Sequence, residues 1–409
     1  MERTRVFIER TGRRIAPFDD PIGETPILDR PLRKWQSEAF AGSGLVVSAV
    51  LEPPCLVVPD TLFASAGALR ALVDGARGED AVLVLKRSEF ARMTTPVQPG
   101  VREVEDGYVF EAIRFISGRN EPPRPVVVDP QEQVVELDLP SATHVSRRTK
   151  VGIPRDYAIT MHHWVHILWA NEIAGPFQAW TNPPRETALD SLRARVRPRS
   201  TDADQARRMR STFGRGCDIH PTAVVEGSRI GNGVTVGPYA SIMFSHLDDE
   251  VTVSVGADVQ FSVLNRKAFV PPNSITHFSV LHPETAAGFM GQLSICGRGS
   301  VMPGVRIQNP DVGQPVKVEL DGRWYSTGLD FLGLAYGYRS QLGGGNFVQA
   351  GSAIPNDYQI ISEAPGSLSK IPPGLAGLGP LSVVDGTLRP SVVAGSGGDD
   401  VQLAKPLSG

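Results

Sequence analysis

The feature that most constrains this chain is a register of aliphatic residues. Ile219, Val225, Ile230, Val236 and Ile242 recur about every six positions, with one interval short by a residue. Gly231 and Gly237 follow two of them, and Pro, Asn and Gly fill the positions between. An α-helix repeats its buried face at 3.6 residues and a half-buried strand at 2. A period of six instead predicts three short flat strands per coil, each sending one aliphatic inward. That is the hexapeptide pattern of a left-handed parallel β-helix, an exception to the right-handed crossover rule. The period blurs after Ser245 and returns in pieces at Val251–Val255, Leu293–Ile295, Val301–Ile307, Leu332–Leu334 and Phe347–Ile354. The two irregular stretches, Ser245–Val251 and Asn309–Thr327, are expected to be loops leaving the coil, where function concentrates on such rigid scaffolds.

The preceding residues read as α/β. Apolar, Val-rich runs at Leu45–Leu51, Cys55–Val58, Ala81–Leu85 and Tyr108–Phe115 are bounded by Pro, Gly and Asp and predict strands. Ser65–Gly75 begins with an N-cap serine, carries Leu69, Leu72 and Val73, and closes on glycine, which predicts a helix between two of them. A second helix is expected near Trp164–Ile173. The chain therefore divides into an α/β domain over 1–181, a linker over 182–215, a β-helix over 216–388 and a tail over 389–409. With a net charge of −3, nothing suggests a nucleic-acid or membrane-surface partner. Cys55, Cys217 and Cys296 are far apart and form no CxxC, as expected of a reducing cytoplasm. The charged start, MERTRVFIERTGRR, lacks the apolar core of a signal peptide, and no run reaches the roughly 18 apolar residues of a membrane span.

Several segments carry a resemblance to a known family. IHPTAVVEGSRIGNGVTVGP, and more specifically PVKVELDGRWYSTGLDFLGLAYGYRSQLG (315–343), resemble the β-helix of sugar nucleotidyltransferase-like proteins. These are related to the bifunctional N-acetylglucosamine-1-phosphate uridyltransferase and glucosamine-1-phosphate acetyltransferase. In the first half, TGRRIAPFDDPIGETPILDRPL (11–32) is similar to that family's opening loop. PCLVVPDTLFASAGALRALV (54–73) is similar to its second strand–helix unit, and VHILWANEIAG (165–175), with Ala170-Asn171, to its pre-linker motif. The resemblance implies a homotrimer with an active cleft between chains. Its substrates would be a sugar phosphate, a nucleotide-sugar or an amine, with acetyl-CoA or another acyl-CoA as donor, and Mg²⁺ only where nucleotidyl transfer is active.

The departures are as informative. The family's phosphate-cradling loop, roughly GxGTRxxP, is reduced to Thr11-Gly12-Arg13-Arg14-Ile15-Ala16-Pro17, and its lysine position before Pro26 is Thr25. Backbone N–H groups and a lysine neutralise the phosphates in such a loop. Here Arg13, Arg14 and Lys34 could supply charge, but without that geometry, and the resemblance adds Asn171 of the pre-linker motif as a substrate- or cofactor-binding candidate. Asp60 is either the family's metal-binding aspartate or a helix-entry residue. In the β-helix the resemblance places a catalytic histidine in a GHxGFLG-like segment. The matching residues here are Thr285-Ala286-Ala287-Gly288-Phe289-Met290-Gly291, with Ala286 where that histidine would fall. His282, four residues earlier, is the alternative base, or else a corner residue at the surface. Lys317 and Arg339 either bind a phosphate of coenzyme A or of a sugar nucleotide, or are solvated charge.

Two other expectations follow from histidines and one from tryptophans. His246, His277 and His282 are a possible three-histidine zinc set of the γ-carbonic-anhydrase kind, leaving one position open for water. His162 and His166 have the i, i+4 spacing of metal ligands on a helix, without HExxH, so packing is the competing reading. Trp164 and Trp169 read as core or interdomain packing. The combined expectation is a transferase-related protein of sugar-nucleotide or acyl-sugar metabolism with eroded catalytic motifs. A non-catalytic ligand-binding or scaffold trimer is the alternative.

Overall fold

In the α/β half, a seven-stranded sheet places Arg5–Glu9 between Val46–Ser48 and Cys55–Pro59, both parallel to it. Beyond Cys55–Pro59 come Gly107–Ile116, antiparallel, then Ala81–Lys86 and the parallel Arg124–Val128. Val101–Val104 pairs antiparallel with Gly107–Ile116. The computed structural model describes residues 4–119, 121–138, 148–181, 211–288, 291–302, 306–308, 314–343, 347–360, 381–384 and 387–390. All five residues of Cys55–Pro59 are buried, as a parallel strand covered on both faces requires. The helix Ala66–Ala76 starts where Ser65 Oγ accepts from the Ala68 amide at 3.0 Å, and it buries Ala68, Leu69, Leu72 and Ala76. A helix that the sequence pattern did not flag, Leu32–Gly42, buries Leu32, Gln36 and Phe40, one residue per turn. The helix Trp164–Glu172 is buried all round, the state of a core helix rather than an amphipathic one. It runs into a wider π turn, Ile173–Phe177, containing Pro176, which has no N–H for an α bond.

From Thr212 the chain changes regime. Successive short strands visit three sheets in rotation, and every pairing within these sheets is parallel. One sheet runs from Thr212–Phe213 through His246–Leu247 and Val280–Leu281 to Ala353–Ile354, eight strands in all. The register aliphatics Val225, Ile230, Val236 and Ile242 are 4 % exposed or less, and Ile219 at the first rung is half-buried. From Thr212 to Leu281 each rung is 17 residues long, split six, six and five. Beyond it the spacing changes to 15 residues (Val280 to Ile295), 40 (Ile295 to Ala335) and 18 (Ala335 to Ala353). The five-residue step explains the short interval between Val225 and Ile230. A serine column marks the period. The amides of Ser228, Ser245, Ser262 and Ser279 each donate to the hydroxyl of the serine 17 residues before, Ser211, Ser228, Ser245 and Ser262, at 3.0–3.1 Å. Beside it, Phe244, Phe261 and Phe278 take left-handed backbone conformations and stack at 5.1 and 5.0 Å.

Of the two stretches expected to leave the coil, the first is corrected and the second does leave it. Ser245–Val251 is not a loop. His246–Leu247 is a strand in register with the rungs above and below, held by the five-residue step that obscured the pattern. Within 309–327, residues 309–313 lie outside the described residues, and Lys317–Leu320 with Arg323–Ser326 form an antiparallel hairpin apart from the parallel rungs. Most of the expected linker (182–210), Phe289 and Met290, and 391–409 also lie outside them. Residues 360–409 form a second unit, of which Leu381–Val384 and Thr387–Pro390 are described as an antiparallel pair. No described helix is long and apolar enough to cross a membrane.

Candidate functional site

The α/β half opens a crevice where its strand order reverses. Arg5–Glu9 leads to Val46–Ser48 on one side, and the chain then returns to lay Cys55–Pro59 on the other. Ligands of open parallel sheets bind outside the carboxyl ends of strands at such a switch point. Here Glu9 and Pro59, the last residues of the two strands, line a cleft of about 120 Å³ together with Thr61, Phe110, Thr160 and His162. The loop 11–17 leaves the same edge. Asp60 anchors it, with Oδ1 accepting from the Thr11 amide at 3.1 Å and the Thr11 hydroxyl at 2.6 Å. Asp60 follows strand Cys55–Pro59 rather than entering a helix, and its carbonyl accepts from Gln36 at 2.9 Å. The helix-entry role belongs to Ser65.

The other expected residues of this half are committed to the fold. Arg13 donates to Asp321 of the 317–326 hairpin at 2.7 Å and to the His162 carbonyl at 3.0 Å, and its Nε is buried without a partner. Arg14 is exposed and turns back on Asp19. Asn171 is fully buried. Its Oδ1 accepts from the Leu28 amide at 2.8 Å and its Nδ2 donates to the Ile167 carbonyl at 2.9 Å, which holds the left-handed bend at Leu28 and Asp29. Thr25 is buried and Lys34 is exposed. His166 accepts from the His162 and His163 amides at 3.1 Å through Nδ1, and its Nε2 bonds to the Pro96 carbonyl at 3.0 Å. It therefore closes the start of its helix, and metal ligation is not its role. Burial pushes His166 and His163 down to about 3 and His162 to about 4, so all three are neutral.

The residues expected on the β-helix occupy three different environments. His282 is buried against the first half. Its ring meets Phe18 edge-on at 5.8 Å and Tyr338 at 6.5 Å, and its Nε2 has no partner. Burial, with Arg298 close by, pushes it down to about 3. Tyr338 donates to Asp20, Asn356 donates to the Phe18 carbonyl at 2.9 Å, and Arg298 pairs with Asp29 at 3.6 Å. His282 thus sits under the 15–20 loop and faces neither solvent nor an open cleft. Lys317 is exposed on the hairpin, and Arg339 is exposed and bidentate to Asp357 at 2.6 and 2.7 Å. Ala286 is in the strand Ala286–Ala287.

The three histidines of the zinc set are separated by sheet and by partner. His246 lies on the same sheet as Val280–Leu281, where Gly175 approaches it so closely that a Cβ there would stand 3.3 Å from His246 Cβ. His277 lies on another sheet, its Nε2 2.8 Å from Asp258. No group of three metal-ligating side chains occurs among the described residues. No family model and no curated protein matches the chain. What sequence reasoning missed are Glu9, Thr61 and Thr160. They come from segments far apart in the chain, and only the pairing of Ala158–Thr160 with Leu62–Ala64 brings the two threonines together. The serines at 17-residue spacing were a visible signal of rung length.

Proposed function

We propose that this protein is a transferase-related member of the sugar-nucleotide enzymes. A nucleotidyltransferase-like α/β half precedes a left-handed parallel β-helix, and three chains associate through the β-helix. The observation that carries this reading is a combination within residues 1–359. A mixed sheet with a crevice at the switch point of its parallel strands is joined to three sheets of parallel rungs.

Acyl transfer from an acyl-CoA to a sugar or amine is the chemistry favoured here over nucleotidyl transfer. The crevice has no lysine or arginine among its lining residues, and Arg13 is neutralised by Asp321. A triphosphate would find no positive charge among the residues that line the crevice. Trimer formation is supported by the sheet that carries Thr235, Phe269, Val301 and Gln341, whose outward side chains are exposed, including the apolar Phe269 and Val301. The alternative of a non-catalytic ligand-binding scaffold draws on one observation, the burial of His282 beneath Phe18.

The test is a transfer assay with full-length protein, acetyl-CoA and a panel of amino-sugar and sugar-phosphate acceptors, read as free thiol. Release of coenzyme A that depends on acceptor supports the reading. Pyrophosphate release from a nucleoside triphosphate and a sugar 1-phosphate, with no thiol release, overturns it.

A further inference from the structure

The seven-stranded sheet of the α/β half ends in two unlike edges, Arg124–Val128 and Val46–Ser48. At the first, the Arg124 amide donates to the Asp80 carbonyl at 2.9 Å, toward the sheet. Backbone groups alternate sides along a parallel strand, so Pro125 stands on the free side with no N–H to offer. Proline and charge are devices that keep an edge from pairing, and this edge has both. At the second, the Val46 amide donates to the Thr4 carbonyl at 3.1 Å, with Val46 in register with Arg5. Val46 and Ser48 therefore turn their backbone groups toward Arg5–Glu9, and Val47 turns both its N–H and its C=O outward. No described strand takes them up. From Ser43 to Leu51 there is no charged residue and no proline, and Arg5 and Glu52 beside the run pair with each other. Exposed apolar side chains crowd here: Val46, Val47, Val50 and Leu51 are 43, 53, 58 and 49 % exposed. A β-branched edge without protection is a template for a further strand.

We propose that two copies of the chain pair their Val46–Ser48 edges antiparallel about a two-fold axis through Val47, so that the sheet continues from one copy into the other. The edge is complementary to itself, as a two-fold contact requires. Across the axis Val47 faces Val47 of the second copy, and each donates its N–H to the other's C=O, as in a hydrogen-bonded antiparallel pair. Val46 then lies opposite Ser48, and Leu45 opposite Ala49. With no charge from Ser43 to Leu51, no like charges are opposed, and β-branched side chains meet at the centre, where cross-strand pairs stabilise a sheet. So short an edge buries less than the roughly 1,000 Å² of a lasting interface, so the pairing is weak and forms above micromolar concentration. It is a contact of the α/β half, separate from any association through the β-helix.

The experiment reads proximity and mass on the full chain. Val47→Cys, oxidised mildly at about 100 µM, should give a disulfide-linked dimer on a non-reducing gel, because paired Cα atoms about 5.5 Å apart suit a disulfide. Ala49→Cys should not, because position 49 opposes position 45 and its two copies stand about 14 Å apart along the strands. The unsubstituted chain, with Cys55 and Cys296 buried and Cys217 half-buried, is the blank. Sedimentation should show the mass at about 100 µM rising at least twofold over its value at about 1 µM. Val47→Lys sets like charges face to face across the axis and should abolish that rise, whereas Val127→Lys, on the other edge, should leave it. Both positions are exposed, and an unchanged unfolding midpoint verifies that the fold is kept. No crosslink at position 47, equal crosslinking at 47 and 49, a mass independent of concentration, or a rise that survives Val47→Lys would each overturn the proposal.

Discussion

Acidification should unfold this protein at a pH where many domains remain stable, and the cause is a set of buried neutral histidines. His163, His166 and His282 are 7 %, 0 % and 1 % exposed and are held down to about 3 by burial. In the unfolded chain each titrates at its ordinary 6.5. A depressed histidine contributes its full stability above the unfolded value and loses it as pH falls toward the folded one. At pH 5 the unfolded residue is charged and the folded one is not. That gap of one and a half units, at about 1.4 kcal/mol per unit, costs about 2 kcal/mol for each residue and about 6 kcal/mol for the three. His162 and His246, both at about 4, add in the same direction. Glu172 opposes them. It is fully buried with neither oxygen partnered, so its carboxyl is pushed well up and keeps a proton that the unfolded chain has lost above its ordinary 4.5. Acidification therefore recovers part of the loss. The net fall is still large beside a total stability of about 5–15 kcal/mol. Urea unfolding followed by circular dichroism at pH 7, 6 and 5 measures it. His282→Leu should shrink the difference between pH 7 and pH 5 by about 2 kcal/mol. A stability that is flat or rises from pH 7 to pH 5 would refute the burial argument.

Two further outcomes are expected. Val236→Asp places an unpaired charge among inward-facing aliphatics, at a cost of several kcal/mol, and should abolish soluble expression, as the yield of soluble protein measures. Light scattering at micromolar concentration should give three times the 44.0 kDa chain mass, and a persistent monomer would remove any cleft between chains.

The rung register was legible because one inward residue per strand repeats regardless of tertiary context. It blurred after Ser245 for a local reason. The step from Ile242 to Leu247 is five residues, and at Thr276 a polar residue takes the inward position of Val259 one rung earlier. Strands and the helix Ala66–Ala76 were legible from caps and apolar runs. Leu32–Gly42 was not, because its buried face includes Gln36, whose polarity is satisfied only by the carbonyls of Asp60 and Leu62. The site was less legible than the fold. Arg13 reads as a phosphate ligand until the hairpin brings Asp321 to it, and His282 reads as a base until Phe18 covers it. Both outcomes depend on contacts between segments more than 200 residues apart, which no local pattern carries.

The central claim is tested most directly by the unfolding temperature of the full chain with acetyl-CoA, with a nucleoside triphosphate and Mg²⁺, and with zinc, each added alone. A ligand that binds only the folded state raises that temperature by mass action. A rise with acetyl-CoA, and none with the triphosphate or zinc, is the result the transferase account predicts. A rise confined to the triphosphate with Mg²⁺ or to zinc would contradict it, as would no rise at all.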